Sequence, residues 1–163
     1  MILITFTLFH VILSLIGIAS GLVVLAGMFT TRRLDGWTAL FLATTVLTSV
    51  TGFFFPTDRL LPSHIVGIVS LAVLAIAILA LYAYRLAGAW RWIYVTGAVL
   101  ALYLNVFVGV VQAFQKLPFL QPLAPTQSEP PFLVTQLIVM AAFVVLGIVA
   151  AWKFHPQPKA LAA

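Results

Sequence analysis

All nine prolines of this chain lie between or after five long apolar runs. A proline in a helix interior costs about 3 kcal/mol, so runs that exclude it are free to be helical. The runs cover residues 3–30, 38–55, 65–86, 92–117 and 132–154. A helix needs roughly 20 mostly apolar residues to cross a bilayer. The spacing predicts an all-α, polytopic membrane protein built as a bundle of five transmembrane helices. It forms one unit over residues 1–155, with an ordered loop at 118–131 and a tail at 156–163. Pro56 closes the second run. Pro131 opens the fifth, where its missing N–H is not needed. Ser63 has the chemistry of an N-cap for the third.

Composition agrees with that parse. The chain is 64% hydrophobic and 7% charged, against roughly 25% charged residues in a soluble domain. Too few charges remain to cover a surface that faces water. The net charge of +5 comes from basic residues scattered between apolar runs, which make no groove for nucleic acid. There is no cysteine, which excludes thiol–disulfide exchange and thiolate metal sites. The opening MILITFTLFHVILS lacks a basic n-region and a small-residue cleavage site, so it reads as a retained first helix.

Charge also predicts orientation. Arg32, Arg33, Arg85, Arg91, Lys153 and Lys159 fall on one side of the parse, and Arg59 and Lys116 on the other. Basic residues favour the cytoplasmic side, so the N-terminus is expected outside and the C-terminus in the cytoplasm. Trp37, Trp90, Trp92 and Trp152 all sit at the expected cytoplasmic ends, as an interfacial aromatic belt does.

Small residues mark close helix contacts, because lipid supplies no hydrophobic drive for helices to associate. Gly17 and Gly21 form a GxxxG. Gly97, Ala101, Asn105, Gly109 and Ala113 recur every four residues, with Asn105 near the middle. These stripes serve packing within the chain or self-association. Thr44, Thr48 and Thr51 share a helix face and are expected to bond back to their own helix.

Most of the unusual polar chemistry gathers at the expected outer end. Asn105 and Gln112 are seven apart and share a face. Lys116 follows one turn later, Glu129 precedes the fifth run, and Gln136 lies one turn inside it. These five are the candidate ligand-binding residues. His10 and His64 lie on the same side and are candidate metal or haem ligands, since imidazole binds both. His155 reads as a solvated residue at the other end. Asp58 with Arg59, and Lys116 with Glu129, are candidate surface ion pairs. Asp35, Asp58 and Glu129 all fall in loops, so no carboxylate sits within a span, where proton-coupled transporters keep one. No nucleophile–base set, paired acids or phosphate-cradling loop is visible, so an enzyme is not expected.

The stretch LNVFVGVVQAFQKLPFLQPLAPTQSEPPFLVTQL resembles a group of small, functionally uncharacterised integral membrane proteins of Gram-negative bacteria. The resemblance lies mainly in Asn105 to Gln136. It implies a bacterial inner-membrane location and carries no activity with it.

The leading expectation is a membrane protein that binds a small ligand or a protein partner through this outer polar cluster. One alternative is a small redox protein holding b-haem or a quinone, with Tyr103, Phe114 and Gln112 around the head group. Another is an oligomeric channel or transporter. Between Gln112 and Phe132, prolines and the apolar anchors Phe119, Leu120 and Leu123 predict an ordered cap over the helix ends, where composition alone suggests a slack tether.

Overall fold

The computed structural model describes residues 2–56 and 62–156. Among the described residues there are five long helices: α1 (Ile2–Phe29), α2 (Asp35–Gly52), α3 (Pro62–Ile78), α4 (Ala89–Lys116) and α5 (Pro130–Lys153). No strand occurs among the described residues. Each helix starts one to three residues before the apolar run that announced it. A first turn has no upstream carbonyls to bond and tolerates polar residues and proline. Asp35 accordingly opens α2, with Arg33 Nε donating to its carboxylate at 3.0 Å. Pro62 opens α3, so Ser63 lies inside the first turn instead of capping it. Pro130 and Pro131 open α5.

Four of the helices are long and apolar enough to cross a membrane: α1, α3 with its extension, α4 and α5. α2 falls short on apolarity. It carries Asp35 and six hydroxyl residues, Thr38, Thr44, Thr45, Thr48, Ser49 and Thr51. Its 18 residues still span about 27 Å at 1.5 Å per residue. It ends at Gly52, earlier than expected, in a turn closed by Phe53 N–H to Val50 O at 3.1 Å. The expected Asp58–Arg59 pair lies outside the described residues, as does Lys159.

α3 does not end as an ordinary helix. Residues Leu79–Ala83 widen into a π turn, closed by Tyr84 N–H to Leu79 O at 3.0 Å. Arg85 and Leu86 then take φ of 50° and 62°, the left-handed region that side chains resist. Both exits keep the chain close to the bundle. The Leu86 N–H returns to Ala80 O at 3.0 Å, and the Leu86 side chain is buried.

The first four helices form a ring. α1 packs on α2, α2 on α3, α3 on α4 and α4 back on α1, while α5 lies outside against α4 and α1. The ring is filled toward the arginine end by Val24, Met28, Phe41, Leu74, Leu81, Val95 and Leu102. Small residues set these approaches. A Cβ on Gly21 would stand 2.6 Å from Leu102 Cδ1 and 2.9 Å from the Phe41 ring, and one on Gly97 would stand 3.1 Å from Ala77 Cβ. Ala101 is fully buried. Gly17, Gly21, Gly97 and Ala101 are therefore taken up inside the chain, which leaves them no surface for a second copy. At the arginine end, Arg91 Nη1 donates to the carbonyls of Ala151 (3.0 Å) and Phe154 (2.7 Å). It thereby satisfies the C-terminal carbonyls of α5.

The exterior is apolar. Leu133, Val134, Leu137, Ile138, Val144, Val145 and Ile148 of α5 are all exposed, an outer surface suited to lipid.

The proline-rich segment after α4 is folded. It makes a short 3₁₀ turn at Gln121–Leu123 and buries Ala124 with Phe114 and Phe132. The last two rings meet edge to face at 5.5 Å. Gln127 Nε2 reaches back to Val111 O at 3.3 Å. Glu129 orders the turn before α5. Its carboxylate accepts the hydroxyl and N–H of Thr126 and the N–H of Ser128. Desolvation pushes this carboxyl's pKa up, but the Thr126 and Ser128 bonds together outweigh it and hold it below the ordinary carboxylate value. A carboxyl with a lowered folded pKa contributes order above its ordinary pKa and loses it as pH falls through the lowered one. Amide exchange at Thr126 and Ser128 is therefore expected to quicken in acid more than at the Leu120 amide. Glu129→Gln should show the fast rate already at neutral pH. Equal rates in both proteins would contradict this role.

Candidate functional site

Toward the other end, the axis of the ring changes character. The residues facing it are Ser14, Thr45, Ser49, Gly52, Gly67, Ser70, Gly109 and Ala113 in place of the Phe, Met and Leu of the packed end. Side chains this small cannot fill the space between four helices. A cavity of about 680 Å³ remains, walled by α1, α2, α3 and α4. That lies inside the range of roughly 300–1,000 Å³ typical of small-molecule sites.

Hydrogen bonds across the cavity hold its walls in register. Ser14 Oγ donates to Asn105 Oδ1 at 2.8 Å, and Asn105 Nδ2 donates to Ser14 O at 3.4 Å, joining α1 to α4. The Ser49 and Ser70 hydroxyls meet at 3.1 Å between α2 and α3. His10 Nδ1 lies 2.8 Å from Thr51 Oγ1, between α1 and α2. Thr51 already donates its proton to Leu47 O at 2.7 Å.

Two hydroxyls stand apart from this network. On the same helix, Thr44 and Thr51 give their protons to carbonyls four residues back, at 2.7 Å each. That is the usual outlet for a helical threonine. Thr45 Oγ1 and Thr48 Oγ1 are buried and have no hydrogen-bond partner. Both residues contribute to the cavity wall, but neither hydroxyl oxygen is open to it: Thr45 is only 1% exposed, and its Oγ1 packs toward Gly17 of α1, where a Cβ would stand 3.1 Å from it. An unpaired buried hydroxyl costs about 1–3 kcal/mol. The apolar part of the lining comes from Val11, Leu15, Ile18, Val66, Leu104 and Val108, with Phe53 and Phe55 nearer the opening.

The expected site residues divide. Asn105, Gln112, Lys116, His10 and His64 all line this cavity. Asn105 is nine-tenths buried and serves as the α1–α4 clamp. His64 stacks on Phe53 with ring centroids 5.5 Å apart, and His10 meets Phe55 edge-on at 5.1 Å. Lys116 is the one lysine or arginine of the lining among the described residues, and it is exposed. Glu129 and Gln136 lie elsewhere. Glu129 bonds within its own turn, so the expected Lys116–Glu129 ion pair does not form. Gln136 faces α4 from α5 and donates through Nε2 to Phe107 O at 3.2 Å. Tyr103 and Phe114 also turn away, Tyr103 toward Phe107 and Phe143 and Phe114 toward Phe132.

The proline-rich segment does not roof this opening. The α4 side of the lining ends at Leu117, and the segment covers the α4–α5 seam instead. Among the described residues, no group of three or more metal-ligating side chains comes together. His155 lies past the C-terminus of α5, at the arginine end. The residues that the sequence reading did not single out are Ser14, Thr45, Ser49 and Ser70. For Thr45 and Ser49 the sequence signal is the density of hydroxyls on α2; Ser14 on α1 and Ser70 on α3 carry none.

No protein-family model matches the chain, and neither a curated protein nor a solved structure is similar to it.

Proposed function

We propose that this is an integral protein of a bacterial inner membrane that binds a small amphiphilic molecule in the cavity enclosed by α1, α2, α3 and α4. The observation that carries the reading is the cavity itself, about 680 Å³, with mostly apolar walls and a few polar groups, Ser14, Asn105 and Gln112 among them. A fold that needed only packing would have closed the space. In this reading the cavity binds its molecule without turning it over.

In this reading all five helices cross the membrane. α2 is shielded from lipid along much of its length, since Phe41, Leu42, Thr44 and Thr45 are buried against its neighbours. Its hydroxyls face protein and cavity, where polar residues of membrane helices belong. The basic residues and tryptophans of the packed end face the cytoplasm, and the cavity opens outside.

The cysteine-free sequence makes this testable with single cysteines. A membrane-impermeant thiol reagent applied to intact cells should label Gln115→Cys rapidly and leave Thr31→Cys unlabelled until the cells are opened. Ser49→Cys, on the cavity wall, should label more slowly than Gln115→Cys but still from outside. Labelling of Thr31→Cys alone in intact cells would reverse the orientation.

The shared position of His10 and His64 on one cavity supports a second reading, a b-type haem. Protein made with ample haem would then show a Soret band that His10→Phe removes. Purified protein with no such band excludes it.

A further inference from the structure

We infer that the molecule held in this cavity is a medium-chain amphiphile with an anionic head, a carboxylate or a phosphate, its chain running down the inner walls and its head at the open end. The inference rests on the binding role proposed above and names the class of ligand. It follows from how polarity is distributed along the walls.

The deeper wall offers a head group little to bond. Its polar side chains are paired with one another, Ser14 with Asn105 and Ser49 with Ser70. The Thr45 and Thr48 oxygens are closed off from the space. What remains is hydrocarbon, from Val11, Leu15, Ile18, Val66, Leu104 and Val108. A charged head buried there would lose its water and gain no partner. An acyl chain loses nothing.

The open end is the reverse. Gln112, Gln115 and Lys116 come from the last turns of α4 and line the cavity. Among the described residues, none of these three side chains makes a hydrogen bond or an ion pair. All three carry N–H donors, and lysine has no acceptor. His10, on the α1 wall, feels the Lys116 charge from the α4 wall. Among the described residues no Asp or Glu lines the cavity. A carboxylate or phosphate accepts from these donors and offsets the lysine charge, whereas a cationic head meets like charge. With the cavity open to the outside, the head stays in water and the chain lies at the depth of the surrounding lipid.

The walls also limit the chain. On α4, Leu104 lies about 18 Å below Lys116 at 1.5 Å per residue, the reach of an extended chain of about a dozen carbons. Beyond it Val24, Phe41 and Leu102 belong to the packed core.

The test uses the full chain in lipid nanodiscs and reads the shift of its unfolding temperature. The probes are dodecanoate, dodecyl phosphate, monododecanoylglycerol and dodecyltrimethylammonium, each below its micellar concentration. At least one of the two anions should raise the unfolding temperature saturably, and the one that does identifies the head. The neutral glyceride should bind at least tenfold more weakly, and the cation should give no shift. Lys116→Gln should weaken the anion at least tenfold, leave the glyceride unchanged and unfold without ligand at the wild-type temperature. Lys116→Arg should keep the anion. With the responding head, affinity should rise up to a chain of about twelve carbons and then level off, because burial of further methylenes stops at the packed core.

Equal stabilisation of Lys116→Gln by the anion, or affinity that climbs without a plateau, overturns the seating of head and chain. A response to the glyceride or the cation as strong as to either anion, abolished by filling the cavity with Gly109→Trp, overturns the anionic assignment and leaves the binding role standing. Silence from all four probes overturns the ligand class. Stabilisation that survives Gly109→Trp overturns the binding role itself.

Discussion

Gly21→Leu is expected to destabilise the protein by about 1–3 kcal/mol, toward the upper end of the cost of overpacking a full core. The added Cβ alone would stand 2.6 Å from Leu102 Cδ1 and 2.9 Å from the Phe41 ring. Both neighbours are 1% exposed, so neither has space to retreat into. Helix association in lipid draws mainly on such close packing, and α1 cannot move away without losing α2 and α4 together. Gly109→Leu makes the contrast. Its Cβ would meet only Ile18 Cδ1, at an ordinary 3.6 Å, and the rest of the side chain has the cavity to occupy. Replacing glycine in a helix returns about 0.8–1 kcal/mol of propensity, so that variant should be as stable as the wild type or more so. Denaturant unfolding in a single detergent separates the two. Similar losses in both would mean that the ring is as tightly packed at the cavity as at Gly21.

How far the sequence foretells this arrangement depends on what each prediction needs. Helix positions need only one-dimensional information, the avoidance of proline and the run of apolar residues, and both are visible directly. The common face of Asn105 and Gln112 needs only helical periodicity. Gln136 and Glu129 share only their depth with these two. Depth says nothing of rotation about a neighbouring helix, and α5 presents Gln136 to the Phe107 carbonyl. Glu129 is claimed by bonds to Thr126 and Ser128, which a loop's exact path decides. The threonines show the same limit at finer scale. Thr44, Thr48 and Thr51 share a face in sequence, yet Thr44 and Thr51 bond back and Thr48 does not. Which rotamer a threonine takes is set by its neighbours across the ring. The π turn at Leu79–Ala83 has no proline or glycine to announce it.

The second large effect concerns occupancy. Gly109→Trp should fill the cavity without disturbing the packed end. Gly109 lines the cavity well away from Met28, Phe41 and Leu102, and its first added carbon clears its nearest neighbour by a full van der Waals contact. An indole there occupies the cavity one turn from Asn105, on the same face of α4. Binding should be lost outright, because a ligand that buries most of its surface cannot share its site with a side chain of that size. Folding should persist, with a thermal midpoint at or above the wild-type value.

Native mass spectrometry of both proteins, purified from membranes in a mild detergent, tests this most directly. The wild type should carry one additional small molecule per chain, released on collisional heating, and Gly109→Trp should carry none. Two proteins that both fly bare, or that hold the same mass in the same proportion, would contradict the cavity as the site of binding.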